Sequence, residues 1–271
     1  MGRQQSGECA KTSPYAQLGD QERHTMQNLA SRIGMIIKAD FKAFGDLVFP
    51  RRCIVCEGVL DTEEKYICAK CGKDIPFTWF WAFGENPAEE RLWKRVGIVA
   101  AASLFMYRKG GGYAELLHEV KYGGNLKLGR ELGRMLGVRM RESGRFAEVQ
   151  AVVPVPLHPL RRWKRGYNQA EVIARGIAEG LSGEKISVET HLLRRCRYTR
   201  TQTKLDVEKR RKNLQKAFGL NTREMERLKR LGIGHILVVD DILTSGATLE
   251  AAIKPLLPHF LVSVATIGFV E

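Results

Sequence analysis

The stretch Ile236-Leu237-Val238-Val239-Asp240-Asp241-Ile242-Leu243-Thr244-Ser245-Gly246-Ala247-Thr248 decides how this chain is read. Four apolar residues, Ile236 to Val239, predict a buried strand. Asp240 and Asp241 stand at its C-terminal end, and a hydroxyl-rich turn with Gly246 follows. Leu249-Glu250-Ala251-Ala252-Ile253 then reads as a helix. In open α/β sheets, ligands bind outside the carboxyl ends of the strands. A helix start at that place offers N–H groups without intrahelical partners and a positive dipole end, which suits a phosphate. Carboxylates accept hydrogen bonds from sugar hydroxyls. The segment therefore reads as a cup for a ribose 5-phosphate. An acidic turn that merely caps a helix is the alternative, since aspartate and serine do cap helices. The order apolar run, Asp-Asp, hydroxyl pair, Gly-x-Thr is more specific than capping requires.

Working outward, strand and helix signals alternate. Strands are expected at 100–107, 149–155, 186–193, 236–239 and 262–270, and helices at 113–121, 126–140, 168–181, 223–231 and 248–257. Such alternation predicts a parallel sheet with covering helices. No internal repeat is visible. Upstream, Phe77, Trp79, Phe80, Trp81 and Phe83 form an aromatic cluster, and 84–90 reads as a linker. Between 27 and 49, Leu29, Ile33, Ile36, Ile37, Phe41, Phe44, Leu47 and Val48 recur at helical spacing. That helix would either lie on a membrane surface or pack on its own protein. Residues 1–25 are polar and lack the apolar core of a signal peptide, so a disordered tail is expected. The resulting plan is a tail at 1–25, an amphipathic helix at 26–49, a cysteine module at 50–76, an aromatic linker at 77–94 and an α/β domain at 95–271.

The 271 residues are 44% hydrophobic, enough for a real core, and carry a formal net charge of +14. No run of eighteen uncharged apolar residues occurs, so no membrane span is expected. A cytoplasmic location follows from these two readings. The charge points to anionic partners such as phosphorylated metabolites, nucleic acid or an acidic protein. A merely solvated basic surface would look the same. Nothing in the sequence sets the oligomeric state.

Six cysteines are present, four of them as Cys53-x-x-Cys56 and Cys68-x-x-Cys71. A cytosolic chain of this size has little use for disulfides, so the pattern points to metal. Each Cys-x-x-Cys knuckle presents two thiolates, and two knuckles supply the four ligands of a tetrahedral structural zinc. Redox-active or unmetallated thiols are the alternative. Gly58 and Gly72 follow the cysteines, where knuckle backbones need room. Four protein ligands leave no open position, so the metal would hold structure rather than catalyse. So short a module would draw its stability from that metal.

Residues 236–248 resemble the thirteen-residue 5-phosphoribosyl-1-pyrophosphate (PRPP) motif of the type I phosphoribosyltransferases. Three further blocks extend the resemblance. They are Val120-Lys121-Tyr122-Gly123-Gly124; Val153-Pro154-Val155-Pro156-Leu157 leading to Arg165-Gly166-Tyr167-Asn168-Gln169-Ala170; and Arg194-Arg195 through Thr201-Gln202 to Arg210-Arg211-Lys212-Asn213 and Ala217-Phe218. From about residue 41 to its end the chain is similar to ComF family proteins. These join a zinc-ribbon-like module to a type I phosphoribosyltransferase-like parallel sheet with flanking helices.

The resemblance implies that Asp240 and Asp241 contact the ribose hydroxyls, directly or through Mg²⁺-bound water. It implies that Thr244, Ser245, Gly246, Ala247 and Thr248 cradle the 5-phosphate. Arg161, Arg162 and Arg165 around Gly166 would form the pyrophosphate loop, where arginine pairs bidentately with phosphate. A basic solvated loop is the alternative. Lys121 would be either a further phosphate contact or an exposed helix residue. Asn168 and Gln169 are expected to orient the loop backbone rather than touch substrate. Arg200, Gln202, Arg210 and Arg211, with Arg197, Lys204, Lys209 and Lys212, resemble the flexible loop that closes over the site. The same cations could track a nucleic-acid backbone.

The implied chemistry is displacement or hydrolysis of pyrophosphate from C1 of the ribose. Thr244 stands where relatives acting on 6-oxopurines carry an aspartate base. An alcohol is a poor proton acceptor at neutral pH, which argues against 6-oxopurine salvage. No segment announces a nucleobase pocket, and the acceptor stays open. The resemblance also implies natural competence, that is, DNA uptake with single-stranded DNA and a DNA-uptake helicase as partners. Trp79, Phe80, Trp81 and Trp93 between basic segments could stack on bases, although sealing the cysteine module against the α/β domain is the simpler use of aromatic side chains. Two functions remain after the sequence: a PRPP-consuming transferase, and a non-catalytic single-stranded-DNA-binding accessory protein that keeps the same site for a ligand.

Overall fold

A computed structural model describes residues 50–182, 186–196 and 217–271. The expected tail at 1–25, the helix at 26–49 and the loop residues Arg197, Arg200, Gln202, Lys204, Lys209, Arg210, Arg211 and Lys212 lie outside the described residues.

In chain order the elements are α1 (Ala69–Lys73), α2 (Pro87–Trp93), β1 (Ala101–Met106), α3 (Ala114–Lys121), α4 (Leu126–Ser143), β2 (Ala151–Pro154), α5 (Pro159–Arg165), α6 (Gln169–Ser182), β3 (Ser187–Val188), β4 (Leu193–Arg195), β5 (Phe218–Leu220), α7 (Thr222–Arg230), β6 (His235–Leu243), α8 (Ala247–Ile253) and β7 (Leu261–Phe269). Five strands form a sheet in the order β1-β7-β6-β2-β3, and every neighbouring pair in it is parallel. β4 and β5 make a separate antiparallel ribbon. The expected α/β class with a five-stranded parallel sheet flanked by helices is what the chain adopts.

The sheet is buried on both faces, and its side chains divide by alternation. Ile236 and Val238 of β6 point into one apolar layer with Leu92, Leu228, Leu249 and Ile253. Leu237 and Val239 point into the other, with Leu116, Leu132, Leu136, Ile173 and Ile177. On that second face α4 and α6 touch backbone to backbone. A Cβ added at Gly133, Gly137, Gly176 or Gly180 would fall 2.0–2.4 Å from a carbonyl oxygen of the facing helix.

Three local departures from the sequence expectation have identifiable causes. The stretch 84–90, expected as a linker, starts α2 instead. Asn86 caps the helix, accepting from the N–H of Ala88 and Glu89, and the Glu89 carboxylate returns to the Asn86 N–H. With Pro87 in the first turn, this is a capping box, and Ala88 and Leu92 are fully buried. The single strand expected at 186–193 is split. β3 pairs with β2, while β4 pairs with β5, and a turn lies between them. Finally, the loop expected after β2 carries the short helix α5, capped at its start by His158 Nδ1, which accepts from the Leu160 N–H, and closed by Gly166 at φ +83°.

The segment after the cysteine module covers the β1 edge, which would otherwise offer free strand pairing. Met106 N donates to Pro76 O at 2.8 Å, and Thr78 N donates to Leu104 O at 3.2 Å. Phe80 and Trp81 are buried, on opposite faces of the sheet, whereas Trp79 is 59% exposed. The module and the sheet therefore belong to one compact unit, Arg52–Glu271. Among the described residues no helix is long and apolar enough to cross a membrane.

Candidate functional site

The cysteine module is built by its own turns. Cys53 N donates to Gly58 O, Ile54 N to Tyr66 O, and Gly72 N to Cys68 O. These turns bring the sulfurs of Cys53, Cys56, Cys68 and Cys71 within 4.8 Å of one another, so they could hold a metal ion. The Cys56 and Cys68 sulfurs lie 3.8 Å apart. A tetrahedral zinc with Zn–S bonds of about 2.3 Å needs sulfurs about 3.8 Å apart. Burial alone would raise the Cys53 thiol, but backbone donors from Cys68, Cys56 and Val55 bring it down to about 7. Cys71 is pushed up by burial and by the neighbouring sulfurs. Of the two expected glycines, Gly58 sits against Cys56 Sγ, while Gly72 has open space around it. Gly112 makes the close approach to the module: a Cβ there would fall 2.8 Å from Val55 O. Tyr113 Oη donates to Cys71 O at 2.8 Å and ties the module to the start of α3.

The second feature is a cleft at the carboxyl end of the sheet. β6 continues beyond the carboxylates instead of ending at Val239. It stays paired to β7 through Leu243, while its pairing to β2 ends at Val239. The last bond on that side runs from Val155 N to Val239 O; Pro156 has no N–H to extend the ladder. Asp240 and Asp241 thus stand on an unpaired strand edge.

As consecutive strand residues they leave on opposite faces. Asp241 Oδ2 accepts from Gln169 Nε2 at 3.2 Å and pairs with Lys121 Nζ at 3.1 Å. Desolvation, then the adjacent Asp241, raise the Asp240 carboxyl to about 7; Lys121 and Arg195 act in the opposite direction. Desolvation followed by repulsion from Arg161 lowers Arg195.

A cavity of about 350 Å³ collects these groups. Its lining includes Lys121, Tyr122, Arg161, Arg165, Gln169, Arg195, Asp240, Asp241, Thr244 and Thr248. The loop at its far end is held from behind. Arg91 Nη1 donates to Thr244 O at 2.9 Å and also bonds Val270 O. Arg95 pairs at 3.1 Å with Glu250, which is 2% exposed and also takes Lys254 at 2.7 Å. Gly246 adopts φ +79° and leads into α8, a backbone state that an L-residue with a Cβ resists.

Of the expected loop residues, Arg161 and Arg165 line the cavity. Arg162 points elsewhere and faces Glu171 at 3.9 Å. Gly166 caps α5. Asn168 Nδ2 does bond the backbone, at Val155 O. Gln169 departs from expectation: it bonds Asp241 and accepts from Arg165. The sequence had not singled out Tyr122, Arg195, Arg91 or Arg95 for the cleft. The first two stood inside the quoted blocks; Arg91 lay in the expected linker and Arg95 at the first residue of the expected α/β domain.

No protein-family model matches the chain. Competence protein F of Haemophilus influenzae is 29% identical over 225 residues, spanning 76% of this chain and 90% of its own length. The DNA utilization protein YhgH of Escherichia coli O157:H7 is 28% identical over 211 residues, spanning 76% of this chain and 83% of its own. The protein of that name from Salmonella typhimurium is 30% identical over 145 residues, spanning 52% and 60%. With paired Cys-x-x-Cys knuckles set on a parallel sheet whose central strand bears the Asp-Asp cleft, the chain is similar to the ComF family.

Proposed function

We propose that the cleft binds PRPP and that the protein transfers or hydrolyses its phosphoribosyl group with release of pyrophosphate. One observation carries the proposal. A single cavity is lined by two adjacent carboxylates, by Thr244 and Thr248, and by the cations Lys121, Arg161, Arg165 and Arg195. Those three kinds of group match what PRPP presents: ribose hydroxyls between a 5-phosphate and a pyrophosphate. Asp240 and Asp241 would take the hydroxyls. The amides and hydroxyls of Thr244, Ser245, Gly246, Ala247 and Thr248 would take the 5-phosphate, with Arg91 holding the loop in shape. Arg161 and Arg165 would pair with the pyrophosphate, which needs several cations in a site shielded from water.

Two crowded carboxyls, one of them raised to about 7, suit a divalent cation. Mg²⁺ there would supply positive charge for the departing pyrophosphate oxygens. The four cysteines would hold a structural zinc. A location in the cytoplasm suits both a soluble sugar phosphate and reduced thiols.

The names of the relatives, competence protein F and DNA utilization protein, support a role in DNA uptake or use. They also favour a second reading, since neither speaks of a transferase. In that reading the protein is a non-catalytic accessory that binds single-stranded DNA, works beside a DNA-uptake helicase, and keeps the cleft for a ligand. The two readings separate on turnover. PRPP with Mg²⁺ and a panel of nucleobases, amines and water should release pyrophosphate if the protein is an enzyme. Binding of PRPP without any release would leave the accessory reading.

A further inference from the structure

A second cavity, of about 600 Å³, adjoins the first. It is lined by Lys121, Tyr122, Gly124, Arg161, Lys164, Arg165 and Tyr167. Lys121, Tyr122, Arg161 and Arg165 line both cavities. They form the wall common to the two, whereas Thr244 and Thr248 line the inner cavity alone. Lys164, Gly124 and Tyr167 belong to the outer cavity alone.

Its chemistry is one-sided. Four of the lining residues are cations and none is acidic. Lys121 is matched by Asp241 at 3.1 Å, but Lys164 stands exposed at the rim. The Tyr122 ring is 69% exposed. The Arg165 guanidinium lies over it, 5.0 Å from the centroid, and the His118 ring is tilted against it at 5.0 Å. Tyr167 is fixed by donating to Val120 O at 2.6 Å. The outer cavity therefore offers a held aromatic surface beside a concentration of positive charge. A flat ring gains stacking energy on the tyrosine, and a phosphate gains charge-assisted hydrogen bonds from arginine and lysine.

We propose that this outer cavity is a subsite for a nucleoside 5′-monophosphate group, bound beside the sugar phosphate in the inner cavity. The base lies against Tyr122, and the phosphate lies against Lys164 and the outer side of Arg161 and Arg165. The assignment rests on the PRPP reading only for the identity of the neighbour; the ring and the cations stand independently of it. A ligand so placed would share a wall with the pyrophosphate end of PRPP.

The test uses the full-length protein and calorimetric titration of dAMP, deoxyadenosine and inorganic phosphate, with and without saturating PRPP and Mg²⁺. The expected order of affinity is dAMP, then phosphate, then deoxyadenosine, with dAMP still binding when PRPP is present. Lys164→Glu, a surface change, should weaken dAMP about tenfold and PRPP less than about twofold, since like-charge contact removes a rim cation. Tyr122→Leu should erase the preference for dAMP over phosphate. A short oligonucleotide ending in the same 5′-phosphate identifies the source: tighter binding than dAMP assigns the subsite to a strand end, weaker binding to a free nucleotide. Absence of dAMP binding, or strict competition between dAMP and PRPP with no effect of Lys164→Glu, overturns the proposal. Loss of PRPP binding with Lys164-dependent dAMP binding intact would sink the PRPP reading and leave the subsite standing.

Discussion

The cysteine module and the cleft both crowd groups of like charge, and they handle the crowding differently. In the module, four sulfurs meet within 4.8 Å, and backbone N–H donors lower Cys53 to about 7. Its own apolar cluster is small, Cys53, Leu60 and Cys71 with a few neighbours, and Ile54, Val55, Tyr66 and Ile67 pack against the larger core beside the sheet. In the cleft, two carboxylates sit on a strand buried on both sides, and desolvation raises Asp240 to about 7. The module divides its thiols: backbone donors favour the Cys53 thiolate, whereas burial and the neighbouring sulfurs oppose ionisation of Cys71. Burial in the cleft disfavours the ionised form of Asp240, and a cation there would favour it. A metal on the four sulfurs would add fold support in the module, whereas burial in the cleft works against an ionised carboxyl.

The largest effect should come from the module. Cys71→Ser removes one of four ligands and should abolish stoichiometric zinc in protein purified without chelators. Tm should fall by about 10 °C or more, because metal binding and folding of such modules are one equilibrium. Retained zinc with an unchanged Tm would break the contrast between the two regions.

The cleft should respond in the opposite sense. The folded Asp240 carboxyl titrates near 7 against an ordinary value of 3.8. Its contribution to stability is fully present below about pH 4 and is lost as pH rises through about 7. Asp240→Asn should remove that slope and leave the apoprotein more stable than the parent at pH 8, by about 2–4 °C for each kcal/mol gained. Thermal scans from pH 4 to 8 on both proteins check it; a less stable variant at pH 8 would show that Asp240 supports the fold.

Smaller effects sharpen the cleft itself. Lys121→Ala removes the cation paired with Asp241, leaving the Gln169 amide on that carboxylate among the described residues, and should weaken PRPP about tenfold. Arg161→Ala should cost PRPP affinity by a similar factor. Arg162→Ala, whose side chain faces Glu171, should change it less than about twofold. Equal losses for Arg161→Ala and Arg162→Ala would mean that α5 turns differently when ligand is bound.

Much of this was legible from local signals. The Cys-x-x-Cys spacing and the Ile236 to Thr248 run each carry their geometry within a few residues. The alternating strand and helix periods determine the sheet class. What escaped depended on contacts between distant segments. Asn86-Pro87-x-Glu89 is a readable capping box, but its nearness to the aromatic cluster suggested a linker. Placing Arg91 behind Thr244 required the fold. Gln169 meets Asp241 only because α6 and β6 converge at the strand ends. The glycines of α4 and α6 carry no mark of their partners, since each matters only for the carbonyl opposite. The break between β3 and β4 follows from which strand each finds to pair with, a tertiary choice.

The account stands on the cleft as a PRPP site. Calorimetric titration of PRPP with Mg²⁺ into the parent protein and into the Asp240→Ala, Asp241→Ala double variant tests it directly. The account predicts saturable 1:1 binding to the parent and at least about a hundredfold weaker binding to the variant, with the zinc content of both unchanged. Equal affinity in the two proteins, or no binding to the parent, would contradict it.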